Sequence, residues 1–318
     1  MSNAIEVNEL RKRYEEIEAV RGIDFVVGTG EVFCMLGPNG AGKTTTTEIL
    51  EGHRLASSGS VCVLGHDPAR GERALRERIG VVLQSSGVQP DLTVSELIEM
   101  YGRYYPNRRS VKELIELVEL EAKADTRAGL LSGGQRRRLD LALGLVGDPD
   151  LLFLDEPTTG FDPQARRHAW STIRSLCSLG KTVFLTTHFM DEAQTLADRV
   201  VVMAGGQIVA SGTPEEIGGR EQLPTEIRFV LPDGVGLGDL PALAVDAQLT
   251  HERDGVLIKT QNGLAATHTL SGWALERGLT LRSFAVAQPT LEDVYLALTG
   301  TSEDEQPTPG SNHEEVSR

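Results

Sequence analysis

Gly37-Pro38-Asn39-Gly40-Ala41-Gly42-Lys43-Thr44 places its glycines, a lysine and a hydroxyl at the spacing G-x-x-x-x-G-K-[ST]. Glycines in such a turn let successive backbone N–H groups converge on phosphate oxygens, and a helix opening at the lysine adds the positive end of its dipole. Lys43 then brings its charge to the β- and γ-phosphates of a nucleotide, and the Thr44 hydroxyl can ligate Mg2+, with Thr45 next in the same binding turn. Further along, Leu151-Leu152-Phe153-Leu154-Asp155-Glu156-Pro157 is an apolar run that ends in two carboxylates. Asp155 is suited to hold Mg2+, commonly through water, and Glu156 to polarise an attacking water.

A second cluster of helix-opening donors follows from Leu131-Ser132-Gly133-Gly134-Gln135, where a hydroxyl and two glycines lead into a helical pattern. The chain already has one phosphate loop, so a second anion-binding terminus suggests a nucleotide held by another protomer. Ser132 equally suits a helix N-cap. Arg136-Arg137-Arg138 come next and read as a solvated helix face or a local phosphate field. Nucleic acid is not expected as a partner, because 46 acidic against 31 basic residues leave a formal net charge of -15.

The elements that must position these groups alternate. Val32 to Leu36, Ile79 to Leu83, Leu151 to Leu154, Val183 to Thr186 and Val200 to Met203 read as short strands between helical patterns, which predicts a mainly parallel sheet covered by helices, an α/β core. Val94 to Met100, Val111 to Leu120 and Gln135 to Val146 interrupt this alternation with helices and no strand between them, so a helical subdomain at about 88–146 is expected inside the core. Thr213-Pro214-Glu215-Glu216 reads as an N-cap with proline at the first helical position, opening a short helix that closes a domain 1–218.

Residues 219–300 are expected to form a small α+β domain, with strands at Glu226 to Leu231, Val256 to Thr260 and Leu279 to Val286 and helices at Leu264 to Glu276 and Thr290 to Leu298. A regulatory or dimer-supporting role is expected for it. The acidic stretch 301–318 offers little to bury and reads as a disordered tail. Three cysteines lack metal or disulfide spacing, and the longest apolar stretch, Leu141 to Gly147, is far short of the ~18 residues that cross a bilayer. With no signal-peptide core at the start, a cytosolic chain is expected, whose membrane connection would run through another protein.

The order of phosphate loop, Leu131 to Gln135 and paired carboxylates resembles the nucleotide-binding subunit of an ABC transporter, from residue 4 to about 218. The resemblance implies a P-loop NTPase cassette, a RecA-like core with an inserted helical subdomain, that hydrolyses ATP with Mg2+. It also implies a head-to-tail dimer in which Ser132, Gly133, Gly134 and Gln135 face the ATP held by the partner's loop. A homodimer is workable, since one chain carries both halves. Tyr14 sits where the family stacks an aromatic ring on adenine, with Val20 nearby, although a half-buried strand tyrosine is the plainer reading. Gln84 matches the glutamine that reaches Mg2+ or the lytic water, and His188 the histidine that senses the γ-phosphate. Asp162 matches a loop residue that touches the opposite protomer, although Phe161 stands in place of the more usual leucine. An N-cap for the helix beginning at Pro163 is compatible with that role.

Two further stretches, Thr186-Thr187-His188-Phe189-Met190-Asp191-Glu192-Ala193 and residues 288–300, resemble the daunorubicin-resistance branch of type-2 exporters. That branch implies a separate transmembrane permease, a peripheral place on the cytoplasmic face of the membrane, and multidrug or antibiotic export of drugs or lipophilic compounds. The competing reading is a soluble ABC-type ATPase without a membrane partner. Such proteins usually carry two cassettes in one chain, long coiled coils or zinc modules, and none of these features is in this sequence.

Overall fold

The computed structural model describes residues 3–82, 87–232, 234–243, 246–252, 255–288, 290, 291 and 293–295. The chain divides into two compact units at Ile217 and Gly218. In the first, β1 (Asn3–Tyr14) and β2 (Ile17–Gly28) form a long hairpin, and β3 (Val32–Leu36) leads to α1 (Lys43–Leu50). β4 (Ser58–Val63), the single turn α2 (Arg73–Arg76) and β5 (Ile79–Val82) follow. Next come α3 (Val94–Gly102), α4 (Val111–Leu117) and α5 (Gly133–Leu145), with no strand between them among the described residues. β6 (Leu151–Asp155), α6 (Pro163–Ser178), β7 (Thr182–Thr187), α7 (Met190–Leu196), β8 (Arg199–Ala204) and β9 (Gln207–Gly212) complete the unit.

Two sheets pack against each other. The six-stranded sheet has the order β5-β6-β7-β3-β8-β9 and is parallel except for β9. β3 and β7 are buried along their whole length, as strands covered on both faces must be, which is why β3 reads as an unbroken apolar run and β7 as an apolar triplet flanked by threonines. The second sheet, β2-β1-β4, is antiparallel. Phe25 of β2 stacks on Phe33 of β3 at 5.3 Å between ring centroids, and Phe184 of β7 packs on Phe33 and on Phe153 of β6, each at 5.6 Å. This aromatic layer fixes the floor beneath the phosphate loop. At the other edge α5 lies directly on β5, because a Cβ on Gly80 would overlap the carbonyl of Gly144.

The antiparallel sheet is an addition to the α/β pattern anticipated from the sequence. Its register shifts, at Val7/Leu10 and Lys12/Arg13 among others, break the two-residue alternation by which a strand is recognised. The helix expected from Pro214 closes only one turn: Ile217 N–H donates to Thr213 O at 2.9 Å, and then Gly218 and Gly219 adopt left-handed φ of 65° and 72°. Helix α4 stops at Leu117, ahead of Leu120, and Glu119 takes a positive φ of 55°.

The second unit holds one antiparallel sheet, in the order β11-β12-β10-β13, from β10 (Thr225–Val230), β11 (Gln248–Glu252), β12 (Gly255–Thr260) and β13 (Arg282–Ala287), with α8 (Gly263–Glu276) between the last two strands. Ile227, Phe229, Val256 and Ile258 form its core with Ala266 and Leu270 of α8. β13 begins three residues later than expected, since Leu279 N–H bonds back to Ala274 O around Gly278 at φ 63° and is spent on ending the helix. The expected tail, 301–318, and Glu292 and residues 296–298 of the helix expected over Thr290 to Leu298 lie outside the described residues. No helix among the described residues is long and apolar enough to cross a membrane.

Candidate functional site

The loop after β3 is built by backbone conformations that only glycine adopts readily. Gly40 and Gly42 have φ of 81° and 105°, and a Cβ on Gly42 would come within 2.5 Å of the Ala19 carbonyl. Pro38, Asn39, Gly40 and Thr44 are exposed and Thr45 is half-buried, whereas Gly37, Ala41, Gly42 and Lys43 are buried. The Lys43 ammonium donates to Gly37 O at 2.6 Å and Pro38 O at 3.1 Å, inside the turn whose amides would receive phosphate. Burial lowers its pKa, while Glu156 and Asp155 work against that shift.

β6 delivers the two carboxylates beside this loop. Thr186 of β7 donates its hydroxyl to Asp155 Oδ1. Glu156, only 11% exposed, is approached from two sides: Lys43 Nζ forms an ion pair with Oε1 at 3.8 Å, and His188 Nδ1 lies 3.1 Å from the same oxygen. Thr159 Oγ1 donates to Oε2 at 3.2 Å. The Glu156 backbone has φ 46°, a conformation an L residue with a side chain holds only when its surroundings impose it. Its N–H is fixed to Thr186 O at 3.1 Å. The structure therefore brings Lys43, Asp155, Glu156 and His188 together from three segments of chain.

The Leu131 to Gln135 stretch lies elsewhere on the unit. Ser132 caps α5 in a reciprocal box: Gln135 N–H donates to Ser132 Oγ at 3.3 Å, and Ser132 N–H to Gln135 Oε1 at 3.0 Å. Ser132, Gly134 and Gln135 line a cleft of about 390 Å³ together with Phe161 and Asp162. Asp162 caps α6, accepting from Gln164 and Ala165 N–H at 2.9 Å each, and these amides hold its carboxyl below the usual range. Asp162→Ala is expected to lower the melting temperature by a few degrees through loss of this cap. An unchanged thermal melt would refute that.

Tyr14 is half-buried, with Lys12 Nζ 5.0 Å and Arg54 Cζ 5.2 Å from its ring centroid, so two cations flank the face assigned to adenine. Val20 requires a correction. It has no exposed surface and packs in the inter-sheet core, so it cannot present itself to a nucleotide. Gln84 lies outside the described residues.

Two functional candidates escaped the sequence reading. Arg137 is not part of a solvated face: its Nε donates to Pro157 O at 3.0 Å, and its Nη2 to Asp155 O at 2.9 Å and Glu156 O at 3.1 Å. The available signal was helical spacing, since Arg137 lies one turn before buried Leu141 and two before buried Gly144. Glu192, fully buried on α7, accepts from Thr158 Oγ1 at 2.8 Å and Trp170 Nε1 at 3.0 Å, and burial pushes its pKa up. Nothing in the sequence separates it from the exposed acids around it.

A nucleoside triphosphate with Mg2+ fits this donor set. The loop offers glycine-shaped amide donors and an ammonium, and Thr44 and Asp155 supply the hard oxygen ligands that Mg2+ takes.

Comparison with known proteins agrees with this chemistry. A family profile described as ABC transporter matches residues 20–159, and one described as ABC transporter domain-containing protein-like, C-terminal domain, matches residues 225–290. The chain is similar to the Nod factor export ATP-binding protein I of Paraburkholderia xenovorans (strain LB400), at 40% identity over 317 residues, covering 93% of this chain and 97% of that one. The protein of the same name from Burkholderia thailandensis is 45% identical over 302 residues, with the same coverage. Among solved structures, cbiO1 from Clostridium perfringens, part of the ABC transporter complex cbiONQ, superimposes with a TM-score of 0.62 at 29% identity, over 68% of this chain and 90% of that one. An ATP-binding cassette of an ABC transporter in its ADP conformation gives 0.60 at 25% identity, over 68% and 93%.

Proposed function

The chain belongs to the ABC transporter family as an ATP-binding subunit, and from that premise we propose that it hydrolyses ATP to drive export through a separate transmembrane permease. The observation that carries the hydrolytic part is the convergence of Lys43 and His188 on one oxygen of Glu156, beside the phosphate loop.

In this reading the loop amides beyond Pro38, through Thr45, bind the phosphates, and Lys43 exchanges the Gly37 and Pro38 carbonyls for phosphate oxygens. Mg2+, held by Thr44 and Asp155, would neutralise charge on the β- and γ-phosphates. Glu156 takes the proton of the attacking water as its oxygen bonds to the γ-phosphorus and the bond to the β-phosphate oxygen breaks. His188 holds Glu156 through Nδ1, which leaves its other ring nitrogen for the γ-phosphate. Ser132 to Gln135 of a second copy close the site from the opposite side, and Asp162 belongs to the same facing surface.

The names of the relatives support export as the direction. A drug, antibiotic or lipophilic compound as cargo rests on the resemblance of residues 186–193 and 288–300 to the daunorubicin-resistance branch. A peripheral place on the cytoplasmic face of the membrane follows from coupling to a permease. The test is a tagged pull-down from detergent-solubilised membranes, in which a stoichiometric partner with several apolar spans is expected. Its absence across several detergents would favour a soluble ATPase.

A further inference from the structure

We propose that Arg137 is a positioning residue that ties α5 to the backbone of Glu156, so that what Ser132 engages at the start of the helix is transmitted to the hydrolytic carboxylate of the same chain. This rests on the ATPase reading above. Five residues beyond the Ser132 cap, the Arg137 guanidinium spans the carbonyls of three consecutive residues, Asp155, Glu156 and Pro157, at 2.9, 3.1 and 3.0 Å. A planar fork of donors can bridge several carbonyls at once, which a single ammonium cannot reproduce.

The residue so held has a backbone at positive φ. Glu156 at φ 46° is pinned on its N–H by Thr186 O from β7 and on its C=O by Arg137 from α5, so the two elements grip it from opposite ends of the residue. The neighbouring arginines grip a different part of the chain. Arg136 Nη2 donates to Ala128 O and Arg138 Nη1 to Glu119 O, both at 3.1 Å and both in the segment between α4 and α5. Helix α5 thus links the inserted helices, through residues 136 and 138, to the loop of Glu156, through residue 137. The capping box makes its first turn stiff, so displacement at Ser132 travels along the helix to Arg137. A shift of about 1 Å in a reacting group is enough to cost ~100-fold in rate.

The experiment measures steady-state ATP turnover, binding of a non-hydrolysable ATP analogue, and thermal melting for the full chain and for Arg137→Met and Arg137→Lys. Arg137→Met is expected to lose roughly ten- to a hundredfold in kcat, with KM and analogue affinity within about twofold of wild type. Arg137→Lys should recover little of that loss, because it restores charge and not the fork. The proposal is overturned by a folded Arg137→Met with unchanged kcat, by a loss confined to KM, or by full recovery in Arg137→Lys. Should Arg137→Met fail to melt cooperatively, a wild-type kcat in Arg137→Lys overturns it and a depressed kcat supports it. A wild-type chain that binds ATP without turnover overturns the hydrolysis reading itself.

Discussion

Glu156→Gln is expected to cut ATP turnover by about 100- to 10,000-fold while ATP affinity holds, the size of effect that removal of a positioned general base produces. The substitution keeps the volume of the side chain and an oxygen for His188 Nδ1, now 3.1 Å away, so the loop at φ 46° should keep its shape. What it removes is the charge that polarises water. It also removes the anion 3.8 Å from Lys43, which leaves the ammonium freer to bind phosphate, so affinity should stay level or rise. Phosphate release and equilibrium binding measure the two quantities separately. With turnover blocked, a dimer trapped on ATP is expected by size-exclusion chromatography. Undiminished phosphate release would remove Glu156 from the role of base.

Lys43→Ala should act on binding itself. The side chain is 5% exposed and its ammonium bonds two carbonyls of its own loop, so truncation removes the charge offered to phosphate and leaves those carbonyls without that donor. Charge-assisted hydrogen bonds contribute about 1.5–3 kcal/mol each, which sets an expected loss of roughly ten- to a hundredfold in ATP affinity. Glu156 loses its cationic neighbour at the same time, so turnover should fall as well. Isothermal titration with ATP and Mg2+ checks this, and unchanged affinity would show that the amides of the loop suffice.

Much of the site was legible because its parts are carried by short, regular signals. A buried strand, a glycine turn and a helix start in register identify the loop at Gly37 to Thr44, and the apolar run ending at Asp155 and Glu156 places the carboxylates at the end of β6. What was not legible depends on partners distant in sequence. Arg137 looked like one of three equivalent arginines, and only the approach of α5 to the end of β6 distinguishes it. Glu192 reads as a surface acid until Thr158 and Trp170 are seen to enclose it. Val20 misled in the opposite way: its place in the order of motifs suggested a ligand contact, while its side chain faces the inter-sheet core. In the fold, the hairpin of β1 and β2 was hidden by its bulges, and the polar edge strand Gln248–Glu252 by its composition.

The central position of β3 has a consequence for biosynthesis. Val32 pairs with Val183, and Phe33 with Arg199, so the strand that ends in the phosphate loop acquires both its neighbours only about 150 residues after it is made. At ~5–20 residues per second, the nascent strand waits roughly 10 to 30 s for them, its apolar edges unpaired. Nucleotide cannot shelter the emerging chain during that interval, because the phosphate loop is made long before β6 and β7 bring Asp155, Glu156 and His188 beside it.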